Sequence, residues 1–231
     1  MIIGENMVPP IRTNLDSRMN TLRSAISEFF VSIISSYNLA INGIKSFNEE
    51  DLKEIYKLRK SAQRQAEHLS QDLLLVLTLN QPLLQDLRII ASYLRGVDVI
   101  ERLARHARDI ADAQTLWHDI ENTDTPLLSE LSSLGHETVA LIEIMRDCLV
   151  EQKGVPEELL KEKWMSISEL FSNISTEILE VQGQSIGGRE GRILLNTMAK
   201  RFERSSYNLM RLADLWHYAL ENEWIHLESV A

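Results

Sequence analysis

Apolar residues recur at intervals of three and four along nearly the whole chain, and no stretch sustains a strict apolar–polar alternation. Six amphipathic helices are therefore predicted, and no strand. The first spans about Asp16 to Lys45, with Leu22, Ile26, Phe29, Ile33, Tyr37, Ile41 and Ile44 on one face. Asn48 is placed to cap the second, whose Glu49, Glu50 and Asp51 suit the positive end of a helix dipole. Its stripe is Ile55, Leu58, Ala62, Ala66, Leu69, Leu73 and Val76, and Asn80-Gln81-Pro82 ends it. The third helix opens from that turn and reaches about Ile120, with Leu83, Leu87, Ile90, Leu94, Val97, Ala104 and Ala111 in line. Position 101 belongs on the same stripe and is Glu, which is costly in a core unless something partners it.

A polar break covers Glu121 to Thr125, and Thr125-Pro126 supplies a cap followed by proline in the first turn of the next helix. The fourth helix carries Leu127, Leu131, Leu134, Thr138, Leu141, Met145 and Cys148. Gly154-Val155-Pro156 separates it from the fifth, with Leu160, Trp164, Ile167, Phe171, Ile174, Ile178 and Val181. The segment Gly183 to Gly188 reads as the most flexible loop, and the sixth helix is expected from about Glu190 to Glu228. Two helices of roughly 25 to 30 residues and one near 40 thus occur twice, at ~1.5 Å per residue. Short loops make neighbours antiparallel. The expected architecture is all-α: an N-terminal extension (1–15), a first three-helix bundle (16–121) and a second (126–231). Glu101-Arg102 aligns with Glu203-Arg204 and Ile110-Ala111 with Leu212-Ala213, so the unit is internally duplicated.

Composition narrows the function. The net charge is −10, which argues against a nucleic-acid binder. A single cysteine, Cys148, excludes an internal disulfide and any cysteine-based metal site, and fits a reducing compartment. No run of about 18 apolar residues and no basic, apolar leader are present, so a cytoplasmic protein without a transmembrane segment is expected.

With Gln81-Pro82, Asp86-Leu87-Arg88, Glu101-Arg102, Ala107 and Ile110-Ala111 in place, the chain resembles the PhoU family of phosphate-uptake and phosphate-signalling regulators, from about Asp16 to Glu221. The second repeat matches more weakly, through Leu170-Phe171, Ala199-Lys200 and Glu203-Arg204. The resemblance implies two tandem three-helix bundles and a metal-binding Glu-x-x-x-Asp on the third helix of each, assisted by acidic residues on the preceding helix. Carboxylates at i and i+4 share a helix face and can share a cation. Here that pattern fails twice: Glu101 is followed by Arg105 and Glu203 by Tyr207, while Arg59, Ala66, Ser70 and Ser168 stand where the supporting acids belong. Glu101 and Glu203 read as vestigial ligand positions, and no metal or other cofactor is expected. Each glutamate is either a leftover ligand or a buried partner of an arginine. Arg105, one turn from Glu101, is suited to bridge it.

Arg88, Arg95 and Arg102 recur every seven residues on one side of the third helix. Acidic neighbours make a solvated, internally paired face the default, with docking on an acidic partner as the functional alternative. Glu223-x-x-His226 has the spacing of a di-iron ligand pair but occurs once and near the end of its helix. Trp164, Trp216 and Trp224 read as core, Trp117 and Trp224 equally as interface anchors. No nucleophile–base set or phosphate loop is legible. The resemblance therefore implies a non-enzymatic regulator that docks on a membrane phosphate transporter, typically its ATPase subunit, or on a sensor kinase. A docking face at Arg95, Arg102 and Arg204 is expected, and the family makes a homodimer a candidate state. The alternatives are an accessory or sensor subunit of another ion transporter, a metal-binding helical bundle, and a structural oligomerisation module.

Overall fold

The computed structural model describes residues 10–120, 125–181 and 186–230. Six long helices account for most of them: α1 (Pro10–Lys45), α2 (Glu49–Asn80), α3 (Gln85–His118), α4 (Leu127–Glu151), α5 (Glu157–Glu180) and α6 (Gly188–Glu221), followed by a short 3-10 turn at Leu227–Val230. No strand occurs among the described residues. The expected boundary region 121–124, the loop residues 183–185 and the extension 1–9 lie outside them.

Local chemistry sets the helix ends. Asn48 accepts the Glu50 N–H at 2.9 Å and begins α2 as the sequence suggests. Thr125 Oγ1 lies 3.4 Å from the Leu127 N–H, with Pro126 already helical, so the Thr-Pro start of α4 stands. Two ends differ from expectation. Pro82, Leu83 and Leu84 are outside α3, because Gln81 and Leu84 take positive φ and turn the chain. Leu83 and Leu87, expected in the stripe, are exposed there together with Leu79 and Leu84. At the other end α6 stops at Glu221 rather than Glu228. Asn222 adopts the left-handed conformation, donates its N–H to Tyr218 O at 2.9 Å, and sends residues 222–230 back along the helix as a hook.

In the first three helices α2 packs on α1 and α3; in the last three α5 packs on α4 and α6. The two sets also pack on each other, α1 against α4 and, along almost its full length, α3 against α6. Helices α1, α3, α4 and α6 thus pack centrally on one another with α2 and α5 flanking them, and all six helices contribute side chains to one continuous apolar core. Helix α1 is long and apolar enough to cross a membrane over Leu15–Lys45. Its place in the fold explains that composition, since Phe29, Phe30, Ile33 and Tyr37 are wholly enclosed by neighbouring helices. Close approach of α4 requires Gly135, where a Cβ would lie 2.7 Å from Ile41 and 3.0 Å from Phe202.

The α3–α6 contact is tied by polar bonds along its length. Near the start of α3, Gln85 donates to Leu220 O at 3.0 Å and Arg88 to Ala219 O at 3.2 Å. These carbonyls belong to the last turn of α6 and lack helical partners, so Arg88 also places a cation at a negative helix end. Farther along, Ser92 donates to Leu215 O and Asp109 pairs with Arg201 at 2.9 Å. The aromatic polar groups Tyr93 Oη and Trp216 Nε1 donate to Leu149 O and Lys153 O, both at 2.8 Å, fastening the end of α4 to the same seam.

Candidate functional site

Glu101 sits on the α2-facing side of α3, between two guanidinium groups. Arg59 Nη2 of α2 lies 2.9 Å from Glu101 Oε1, and Arg105 Nη2 lies 2.9 Å from Oε2. The Arg59 and Glu101 side chains are each only 15 % exposed, while Arg105 is 43 % exposed. Arg105 therefore bridges Glu101 as its spacing suggests. The deeper partner is Arg59, a residue noted in the sequence only because it replaces an acid. Arg59 Nε and Nη1 and Arg105 Nε are buried without hydrogen-bond acceptors. A metal ion at Glu101 would have to displace two cations and find its remaining donors among N–H groups, which cannot coordinate it. The donor set does not fit the metal that the resemblance implies. Among the described residues no group of three or more His, Cys, Asp or Glu is arranged to hold an ion.

The twin position, Glu203 on α6, is nearly as enclosed at 18 % exposure but less well served. Among the described residues its one ion-pair partner is Arg204, at 3.6 Å and itself 62 % exposed. Burial raises the Glu203 carboxyl above its ordinary range, only partly countered by Arg204 and Lys200. Tyr207, where the second Asp of the motif would stand, packs against Trp164 and lies beneath the Arg204 guanidinium, 5.9 Å from its ring centre.

Arg95 and Arg102 share one carboxylate, Asp98, at 3.5 and 3.2 Å. With Arg211 they line a groove between α3 and α6, into which the hook brings Trp224 and His226. Arg204 stands one turn from Asn208 of that lining, on the same side of α6. Arg88 does not join this face, since its guanidinium is spent on the end of α6. Trp224, one of the expected core tryptophans, is 48 % exposed, whereas Trp117, Trp164 and Trp216 are buried. Glu223 and His226 are not a helical pair, because α6 has already ended.

A buried polar cluster was not foreseen. Ser205 Oγ donates to Arg201 O at 2.6 Å, which uses its only proton. Tyr37 Oη at 2.5 Å and His106 Nδ1 at 2.9 Å must then both donate to it. His106 is thereby neutral with its proton on Nδ1. Burial, with Arg201 next, lowers its pKa to about 4. The pair resembles a serine–base arrangement in spacing, but Ser205 and Tyr37 are wholly buried and the serine proton faces a backbone carbonyl. It ties α1, α3 and α6 together. Cys148 is equally enclosed, and burial raises its thiol to about 11, leaving a protonated small hydrophobe.

Residues 26–113, the later part of α1, all of α2 and most of α3, match the PhoU domain family model. Among solved structures, PhoU from Pseudomonas aeruginosa superposes with a TM-score of 0.84 at 13 % identity, covering 90 % of this chain and 99 % of that one. The phosphate transport system regulatory protein PhoU from Streptococcus pneumoniae gives 0.81 at 15 % identity, covering 91 % and 99 %. No curated protein matches the sequence. The PhoU domain match lies in the first three helices, and the chain takes the fold of the PhoU structures almost throughout.

Proposed function

We propose that this protein is a non-enzymatic, cytoplasmic regulator of phosphate transport, acting by docking on a transporter component or on a phosphate-responsive sensor kinase. The observation that carries the reading is the PhoU domain at residues 26–113. The similarly folded Streptococcus pneumoniae PhoU, a phosphate transport system regulatory protein, points the same way. Rigid helical faces suit docking better than chemistry, and the Ser205–His106 pair has no access for a substrate. The division into bundles 16–121 and 126–231 belongs to the same reading. So does a metal-free state at Glu101 and Glu203, with Arg59 and Arg105 supplying the positive charge that a cation brings elsewhere in the family.

The docking face we assign is the α3–α6 side bearing Arg95, Arg102 and Arg204, which are 54, 38 and 62 % exposed. Long-range attraction to an acidic partner speeds encounter and weakens with salt. The experiment is capture of phosphate-transporter and sensor-kinase components by the wild-type chain and by the triple charge reversal Arg95→Glu, Arg102→Glu, Arg204→Glu. Capture by the wild type and its loss in the variant supports the reading; equal capture by both removes the docking face. A second reading, an accessory subunit of another ion transporter, is favoured by the arginine clamp at the family's metal position, which marks a member that has diverged in chemistry. Capture of cation-transporter components instead of phosphate-transporter components would establish it.

A further inference from the structure

The α3–α6 groove is closed on one side by the C-terminal hook, and the enclosure is built rather than incidental. Asn222 and His226 both hold positive φ, at 61° and 51°. Such residues are uncommon outside glycine and persist only where surrounding contacts hold them. The contacts here are the Leu227 N–H, donated to Asp214 Oδ1 at 2.8 Å, and the Leu227 side chain, fully buried in the core. Between these anchors Trp224 stacks on Tyr218 with ring centres 4.6 Å apart and planes 13° from parallel. His226 lies at 6.4 Å from Trp224 and 20° from its plane.

The resulting cavity has a volume of about 500 Å³. Its floor is apolar, at Leu212 and its neighbours, one wall is Trp224 and His226, and its mouth carries Arg95, Arg102 and Arg211. Two carboxylates face the arginines: Asp98, shared by Arg95 and Arg102, and Asp214, which holds the hook. Arg211 makes no ion pair among the described residues, so the mouth keeps an excess of positive charge. A flat aromatic wall, an apolar floor and convergent guanidinium groups suit a ligand with a planar ring at one end and an oxyanion at the other. An inorganic oxyanion alone would leave most of this volume and the aromatic wall unused.

We infer that this cavity binds a nucleotide, with its phosphate on Arg95, Arg102 and Arg211 and its base against Trp224. The site shares Arg95 and Arg102 with the assigned docking face, but nucleotide binding is read on the isolated protein, so its failure and the failure of docking are distinguishable.

The test is calorimetric titration of the full chain with ribonucleoside monophosphates and triphosphates, with inorganic phosphate and adenosine as part-ligands, alongside tryptophan fluorescence. The expected result is saturable binding of at least one nucleotide, with quenching that disappears in Trp224→Leu. Affinity should fall about tenfold or more in Arg211→Gln, the loss of one charged hydrogen-bonding partner, and stay unchanged in the distant Arg64→Gln. Both site residues are exposed, so unchanged thermal midpoints are expected and separate binding loss from misfolding. The inference is overturned by no saturable nucleotide binding at millimolar concentration. It is equally overturned by nucleotide binding insensitive to Arg211→Gln and Trp224→Leu, or by inorganic phosphate binding as tightly as any nucleotide.

Discussion

Replacing Glu101 by alanine tests whether the arginine clamp holds α2 on α3. The substitution leaves Arg59 with its charge, 15 % exposed, and no carboxylate within reach. Removing one partner of a buried pair costs about 3–5 kcal/mol, because the remaining charge is desolvated and unpaired. Arg105 is 43 % exposed and can turn to water, so its share adds only about 0–1 kcal/mol. For a chain of this size each kcal/mol moves the thermal midpoint by ~2–4 °C, so Glu101→Ala should lower it by about 6–24 °C. Against a total stability of about 5–15 kcal/mol, that is a large fraction of the whole.

The paired double substitution Arg59→Met, Glu101→Leu removes both charges and fills the space with apolar atoms. Replacing both partners of a buried pair is often neutral or stabilising, so the double variant should regain most of the lost stability despite carrying the single change within it. Circular dichroism during thermal and urea unfolding measures both. Surface electrostatics is ruled out as the source by repeating the series at about 1 M salt, where the screening length is ~3 Å. A loss below ~1 kcal/mol for Glu101→Ala, or a double variant no better than the single one, would falsify the clamp as the element that fixes α2.

Three further outcomes follow from buried groups. His106 is held near 4 in the folded chain against an ordinary 6.5, so the unfolded chain binds the extra proton between those values. Stability is full above pH 6.5 and falls toward pH 4, by about 3 kcal/mol, and His106→Asn should flatten that decline in the thermal midpoint. Glu203 has the opposite sign: its carboxyl is raised above 4.5 by burial, so stability is lost as pH rises through the folded value. Glu203→Gln should therefore raise the midpoint at neutral pH and lose that advantage below pH 4.5, and an advantage that grows on acidification would contradict this. Gly135→Ala should gain about 1 kcal/mol of helix propensity but lose ~1–3 kcal/mol to overpacking against Ile41 and Phe202, so unfolding assays should find it no more stable than the parent.

The helices were legible because each carries its own period and its own cap: Asn48, Thr125 and the Gly154–Pro156 break are local signals, and the structure uses all three. The end of α6 was not legible. Its apolar period runs on through Trp224 and Leu227, and only the packing of Leu227 into the core, with its N–H on Asp214, makes reversal better than extension. For the same reason the groove residues were visible singly, as Arg95, Arg102 and Trp224, but not as one cavity. Their proximity depends on a reversal that sequence periodicity cannot encode.

The glutamates divide along a similar line. Glu101 and Glu203 occupy equivalent places in the repeat and are almost equally enclosed, at 15 and 18 % exposure, yet only Glu101 is flanked by two close cations. The difference lies on the preceding helix. Arg59 reaches across from α2, while the position matched to it on α5, Ser168, brings no charge. A carboxylate in both halves, with two close cations in one and one in the other, fits a duplicated helix whose two copies differ in their partners. In the first half the buried charge is neutralised by Arg59 and Arg105. In the second it is only half-neutralised by Arg204 and Lys200, and the raised Glu203 carboxyl is the physical consequence.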